Sequence, residues 1–355
     1  MPISAIDAIG PAFQHTRQQL LQPFRLAQWA KLALVGFLAG ELTSGGCSGS
    51  GNFQVPTHTG SQRFFLSSLP DIDPMMYAGL IAFLIVFGFV FYIVFLYVSS
   101  VMRFVLFDSV VARTCEIRRA WSRRLGPGLR YFLWQILLLF LMVVGLTILI
   151  GVPAAFAFAV GWLKSPDQHV IALVLGGMLL FLVVMAFLLL WIVVHVMTKD
   201  FVVPQMALEN VNAFEGWRRL LPRMDSEKGA YAGYLGMKLV MTIAASVIVG
   251  IVTFIIVLIL LIPVGGFGAV VVLAGKAAGL HWDAYTITLA VVAGSVVLAV
   301  LLYVIALVSV PAIVFFPAYS IYYFAGRYPL LDALLRPAAY APPAPVPPLP
   351  PPDAM

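Results

Sequence analysis

Long apolar runs with almost no charged residues are the feature that most constrains the fold of this chain. A helix needs about 20 mainly apolar residues to cross the roughly 30 Å hydrocarbon core of a bilayer. Six runs reach or approach this length, and they cover residues 26–43, 75–102, 131–163, 169–197, 239–264 and 284–310. Only 10% of the residues are charged, against roughly a quarter in soluble domains. The sequence therefore predicts an all-α integral membrane protein with about six transmembrane helices.

The distribution of basic residues predicts the orientation of these helices. The chain has 21 Lys and Arg residues, and six crossings place all of them on one side except Arg63, Lys164 and Lys276. Cytoplasmic loops carry an excess of Lys and Arg, so both termini are expected in the cytoplasm. The first run is short and contains Lys31, but the orientation favours it as a true span. This places Glu41 at the outer end of that span.

An internal similarity on the same side predicts a structural repeat. It has an offset of 96 residues, from Asp108 to Pro204, and it pairs Trp121 with Trp217 and Arg123 with Arg219. In the second copy, one face of a single helix collects the apolar residues Val203, Met206, Phe214, Trp217 and Leu221. This pattern is typical of an amphipathic helix that lies in the membrane interface. We expect a repeat of a cytoplasmic-side interfacial helix followed by a transmembrane hairpin.

Weaker matches extend this repeat toward both ends of the chain. They lie at Pro11–Arg25, before the first span, and at Pro317–Leu335, after the last one. The uncharged stretch from Ala284 to Gly326 is too long for one crossing. Pro311 and Pro317 are expected to divide it into a span and a helix in the interface.

Two segments also carry a resemblance to known families. Residues 201–219, FVVPQMALENVNAFEGWRR, are followed by Lys228-Gly229. They resemble a motif of bacterial proteins related to the non-catalytic membrane domain fused to some glycerophosphodiester phosphodiesterases. The segment from Ala5 to Leu42 resembles the start of an uncharacterised prokaryotic multi-pass family. The resemblance implies a helical domain of unassigned activity in a prokaryotic cytoplasmic membrane. The soluble phosphodiesterase domain has no counterpart in this sequence, so its catalysis is not transferred.

No catalytic residue, cofactor site or metal site is predicted from the sequence. The five histidines lack the spacing of a metal-binding motif. His195, near the inner end of the fourth span, fits either a proton relay or an interfacial histidine bonded to backbone. Glu41 fits either a functional carboxylate at membrane depth or a residue in the headgroup region.

Arginines on the cytoplasmic side are the best candidates for ligand binding. Their guanidinium groups could make bidentate contacts with the phosphates of anionic lipids, or they could serve only to fix the topology. The candidates are Arg118, Arg119, Arg123, Arg124, Arg218, Arg219 and Arg223.

The apolar runs, the proline-rich end and the placement of the basic residues predict the domain organisation and the partners. Residues 1–336 are expected to form a single polytopic membrane domain, and residues 337–355 a disordered cytoplasmic tail rich in proline. The tail either recruits a cytoplasmic partner or has no dedicated partner. Membrane lipids are the expected partners of the rest. Nucleic acid is not expected, because the basic residues lie in short segments that flank apolar runs.

Three classes of function remain open from the sequence. Interfacial helices and missing catalytic groups favour a non-enzymatic protein that organises the membrane or contacts lipid. Repeated hairpins and the helix-breaking residues Pro153, Pro263 and Pro311 suggest a transporter or channel for a small solute. The resemblance to a membrane domain fused to some glycerophosphodiester phosphodiesterases suggests an intramembrane lipid-modifying enzyme. The sequence therefore does not decide whether the protein is an enzyme.

Overall fold

The computed structural model of the protein describes residues 4–22, 24–41, 74–162, 166–277, 279 and 284–336. Every regular element in these ranges is helical, which confirms the predicted all-α membrane protein. The α-helices are α1 (Ile9–Leu21), α2 (Leu26–Leu38), α3 (Pro74–Val111), α4 (Ile117–Ala159), α5 (Val170–Met197), α6 (Val203–Glu209), α7 (Ala213–Ser226), α8 (Lys228–Ala277), α9 (Ala284–Val308), α10 (Val310–Ala325) and α11 (Pro329–Leu335). A short 3₁₀ turn, Pro166–Gln168, precedes α5, and a π-helical segment, Thr198–Val202, joins α5 to α6.

Five long helices are apolar enough to cross a membrane, and they correspond to the second to sixth predicted spans. They are α3, α4, α5 continued through α6, α8 and α9. In the apolar window of each, at most 6% of the residues are buried. These windows thus expose their side chains around most of the helix, as expected for segments solvated by lipid. The helix breaks expected at Pro153 and Pro263 are absent, because both residues lie inside continuous helices.

The buried core lies at one end of the long helices. We call this the basic end, because it carries Arg103, Lys199 and Lys238. Residues 101–107 of α3 and residues 201–207 are buried without interruption. They pack with α1, α2 and α10. The helices are therefore held together at the basic end, and their apolar windows extend away from it.

Helix α10 is a core helix, which corrects the expectation that it lies in the interface. Thirteen of its 16 residues are buried. Apolar and aromatic side chains surround it, and a helix that is hydrophobic on all sides is buried rather than placed at a polar boundary. The division of this stretch is nevertheless close to the predicted one, because α9 ends at Val308 and Pro311 lies in the first turn of α10.

Helix α2 is shorter than the predicted first span. Its 13 residues extend roughly 20 Å at about 1.5 Å per residue, less than the thickness of a bilayer core. Near its start, Gln28 donates a hydrogen bond to the carbonyl of Arg113 (3.0 Å), and after its end Arg103 donates to the carbonyl of Ala39 (3.1 Å). Helix α2 thus runs antiparallel to α3 within the basic end.

This path corrects the predicted position of Glu41. The carboxylate of Glu41 forms an ion pair with Lys199, at the basic end of α5. Glu41 therefore lies on the side where Lys199 was placed, and its predicted position at the outer end of a span is wrong. Attraction between a buried carboxylate and a nearby ammonium group accounts for the difference. Residues 42–73, which connect α2 to α3, lie outside the described residues.

The two copies of the predicted repeat share a helix, a break and a second helix. Helix α3 is followed by α4, and α6 by α7. Each break contains a non-glycine residue with positive φ, Arg113 at 58° and Asn210 at 57°. Trp121 and Trp217, which the alignment pairs, both pack against the core.

The break at Asn210 corrects the prediction of one amphipathic helix across the second copy. Val203 and Met206 are buried in α6, whereas Phe214 and Leu221 are exposed on α7. A left-handed residue cannot continue a right-handed helix, and Asn adopts that conformation at low cost. The five apolar residues therefore belong to two helices and do not form one face.

Candidate functional site

Of the four candidate arginines on α4, two form ion pairs within the protein and two do not. Arg119 forms an ion pair with Glu116 (2.9 Å), and Arg124 makes a bidentate pair with Asp108 (2.8 and 2.7 Å). Arg124 also donates to the carbonyl of Ala207, so it ties α4 to α3 and α6. Arg118 and Arg123 are exposed and have no hydrogen bond or ion pair in the described part of the chain.

A groove of about 470 Å³ runs beside these arginines. We call it the arginine groove. Its apolar lining includes Phe107, Val111, Leu208 and Leu334, and its charged lining consists of Asp108, Glu116, Arg119, Arg123 and Arg124. Both acids are already paired with Arg119 and Arg124, so Arg123 is the uncompensated charge of the groove. An unpaired guanidinium beside an apolar wall suits an anionic headgroup with the start of its acyl chain.

The arginines on α7 serve a separate network. Arg218 pairs with Glu215 (3.0 Å), and Arg219 pairs with Glu209 and with Glu215 (2.9 Å). Hydrogen bonding from Arg219 lowers the pKa of the half-buried Glu215 carboxyl. The Arg223 guanidinium lies over the ring of Tyr328, 5.8 Å from its centroid. None of these three arginines lines the arginine groove, so the seven candidates form two groups and not one site.

A second set of charged side chains, which the sequence analysis did not group, is buried at the basic end. Lys199 pairs with Glu41, and Lys238 pairs with Asp200. Asp200 also accepts a hydrogen bond from the Tyr234 hydroxyl (2.9 Å). Arg103 completes the set and is 8% exposed. We call Glu41, Arg103, Lys199, Asp200 and Lys238 the buried ion cluster. Its members come from α3, α8, the π-helical segment and the residues after α2.

The π-helical segment positions two members of this cluster. Lys199 and Asp200 are adjacent in it, and they pair with residues on different elements. The segment is fixed by Trp217, whose indole N–H donates to the Thr198 hydroxyl (3.0 Å). Single π turns inside α-helices occur frequently at functional sites. The repeat contains a signal for this site, because Lys199 follows Arg103 by the same 96 residues that separate Trp217 from Trp121.

Arg103 is the member that has no direct ion pair with a described carboxylate. One terminal nitrogen donates to the Tyr131 hydroxyl and the other to the carbonyl of Ala39 (3.1 Å). Its Nε is buried and has no hydrogen-bond partner among the described residues. A cavity of about 30 Å³ adjoins this side chain, and its polar lining consists of Glu41, Arg103, Lys199, Asp200 and Ser320.

A family model matches residues 3–334 of the chain. The protein belongs to DUF7544. This family is described as one of unknown function. No curated protein and no solved structure matches the chain. The DUF7544 match covers the long helices, the arginine groove and the buried ion cluster. It assigns no activity, and it does not link the chain to the membrane domain of glycerophosphodiester phosphodiesterases.

The remaining candidates for chemistry form no third site in the described part of this DUF7544 chain. His195 is an exposed residue and its ring makes no hydrogen bond with a described residue, but the ring lies close enough to the buried ion cluster for the charges of Arg103, Lys199, Glu41 and Asp200 to act on it. Among the described residues, no group of three or more His, Cys, Asp or Glu side chains is placed to hold a metal ion. The two sites therefore consist of arginines at a groove and of buried ion pairs.

Proposed function

We propose that this protein is a non-enzymatic membrane protein that contacts and organises anionic lipid at its basic end. The observation that carries the proposal is Arg123, an unpaired cation on the arginine groove whose neighbours Arg119 and Arg124 are both paired. A phosphate can pair with Arg123 without breaking an existing ion pair. The apolar wall of the groove can accept the adjoining part of an acyl chain.

The exposure of the long helices supports the same proposal. Their apolar windows bury at most 6% of their residues, so lipid has access to most of each helix. A protein whose buried core lies at one end, with few fully buried residues in the apolar helices beyond it, presents a large lipid-facing surface. Headgroup binding at the basic end would orient lipids along that surface.

Lipid retention by single-arginine variants tests the proposal. We expect Arg123→Gln to reduce retention of phosphatidylglycerol or cardiolipin in native mass spectrometry by about tenfold, because a charge-assisted contact of about 1.5 kcal/mol is lost. Arg118→Gln is the matched control, since Arg118 is exposed on the same helix but does not line the groove. Equal retention by wild type and Arg123→Gln, or equal losses in both variants, would refute the groove as a lipid site.

We further propose that the basic end faces the cytoplasm of a prokaryotic cell, with both chain termini on that side. The clustering of Lys and Arg at this end supports the orientation. The proline-rich tail, residues 337–355, lies outside the described residues, and recruitment of a cytoplasmic partner by it stays a prediction. Unchanged pull-down partners after deletion of the tail would argue against recruitment.

Transport of a small solute is the second candidate function. The buried ion cluster favours it, because ionisable groups buried near membrane depth often mark ion or substrate pathways. The low burial of the apolar windows weighs against it, since few of their residues are enclosed by neighbouring helices as the walls of a path across the bilayer would be. Solute uptake into proteoliposomes that is lost in Asp200→Asn would favour transport over lipid organisation.

A further inference from the structure

We propose that Arg103 forms the centre of a binding site for a small monovalent anion of halide size within the buried ion cluster. This site is separate from the arginine groove, and it goes beyond the proposed contact with lipid. Three observations support it: the charge balance of the cluster, the unfilled hydrogen-bonding capacity of Arg103, and the size of the adjoining cavity.

The buried ion cluster contains three cations and two carboxylates, so one positive charge has no counter-charge within it. Glu41 pairs with Lys199, and Asp200 pairs with Lys238, so these four charges cancel. The charges of the other four members all act on Lys199, so the five groups lie within electrostatic reach of one another. Arg103 supplies the fifth charge, and arginine does not release its proton in proteins. A buried charge without a counter-charge is costly, so a bound anion would stabilise the folded state.

The hydrogen bonds of Arg103 leave a donor available. Its two terminal nitrogens donate to the hydroxyl of Tyr131 and the carbonyl of Ala39, which are neutral oxygens. The Nε–H has no partner in the described part of the chain, although Arg103 is only 8% exposed. An anion that reached this N–H from the adjoining cavity would satisfy the donor and neutralise the guanidinium. A water molecule would satisfy the donor only.

The cavity limits the size of the anion. Its volume is about 30 Å³, and a cavity needs about 10–15 Å³ to hold one water molecule, so it has room for one or two groups of that size. Chloride and bromide are single atoms close to water in size, whereas phosphate, sulfate and gluconate are larger polyatomic ions. Glu41 and Asp200 also line the cavity, but each is engaged by a lysine ammonium group. The expected ligand is therefore a halide and not a lipid phosphate.

Thermal unfolding of the full-length protein in detergent tests this site. Melting temperatures are compared in sodium chloride, sodium bromide and sodium gluconate at equal ionic strength. At a halide concentration of about ten times Kd, we expect chloride and bromide to raise the melting temperature by about 2 °C relative to gluconate. The shift should level off as the halide concentration is increased further. Arg103→Gln should lose this difference, and Arg118→Gln, which changes an exposed arginine, should keep it.

Two outcomes would overturn the proposal. One is equal melting temperatures of the wild type in halide and gluconate. The other is a halide effect that persists in Arg103→Gln. If Arg103→Gln does not fold, crystals of the wild type grown in bromide decide the question. An anomalous bromine peak within hydrogen-bonding distance of Arg103 Nε would support the site. If fully occupied bromide ions are seen elsewhere in the crystal but none is seen beside Arg103, the site is excluded. None of these results depends on lipid binding at the arginine groove.

Discussion

Replacing Asp200 by Asn should destabilise the protein far more than its small change in shape suggests. Asp200 is 3% exposed as a side chain, and its partner Lys238 is 10% exposed. The substitution leaves the ammonium group of Lys238 buried without its counter-charge and raises the surplus positive charge of the cluster. Removing one partner of a buried ion pair costs about 3–5 kcal/mol. We expect this loss in the free energy of unfolding, measured by reversible denaturation in mixed micelles.

Two further variants isolate the cause of this loss. Asp225→Asn breaks an ion pair with Lys228 in which both side chains are more than three-quarters exposed (76% and 77%), so it should cost about 0–1 kcal/mol. Adding Lys238→Met to Asp200→Asn removes both buried charges and should recover most of the stability. The reasoning fails if Asp200→Asn costs no more than Asp225→Asn, or if the double variant is as unstable as the sum of its single changes.

Three other measurements probe packing, pH dependence and orientation. Gly128→Ala should cost about 1–3 kcal/mol, because a Cβ there would lie 2.6 Å from Val101 Cγ2 and 3.1 Å from Val101 Cα. Gly126→Ala, with no atom within 4 Å, should be neutral or stabilise by up to about 1 kcal/mol; similar effects of both changes on unfolding would contradict the close approach. Burial lowers the pKa of His15, whose Nε2 bonds to the carbonyl of Val110 (2.8 Å). Its contribution to stability should be fully present above the unfolded pKa of about 6.5 and should be lost as the pH falls through the lower folded value; a His15→Gln variant with an unchanged pH profile would exclude it. A cysteine at Asn212 should react with an impermeant label only from the cytoplasmic side, and labelling from outside would reverse the orientation.

The long helices could be predicted from the sequence because lipid imposes a local requirement. A segment that crosses the bilayer must be apolar over its own length, so hydropathy alone located α3, α4, α5, α8 and α9. For the last residues of the first apolar run, the same reasoning predicts the wrong depth. The sequence predicts Glu41 at the outer end of a span because it stands near the end of the first apolar run, whereas its position follows from the ion pair with Lys199, which is distant in sequence.

The alignment of Trp121 with Trp217 is enough to recognise the repeat. It does not predict how the helices of each copy are arranged. Apolar periodicity passes through Asn210 without interruption, so one helix was predicted where two occur. The left-handed conformation of Asn210 is a local choice that periodicity does not report. Helix α10 shows the opposite problem, because the same apolar composition suits a core helix and a membrane-facing helix. Its burial depends on α1 and α2, which surround it from the other end of the chain.

The buried ion cluster was hidden because each of its cations already had an adequate explanation as a topology signal. Arg103, Lys199 and Lys238 all stand where an apolar run meets a boundary, which is where the positive-inside rule expects basic residues. Burial distinguishes the two roles, since a residue that only sets topology can remain in water, whereas these three side chains are enclosed by protein. A basic residue at a helix end therefore deserves a second interpretation when a repeat places another cation at the equivalent position. In this chain Arg103 and Lys199 meet that criterion; Glu41 balances the charge of Lys199, and the proposed anion would balance that of Arg103.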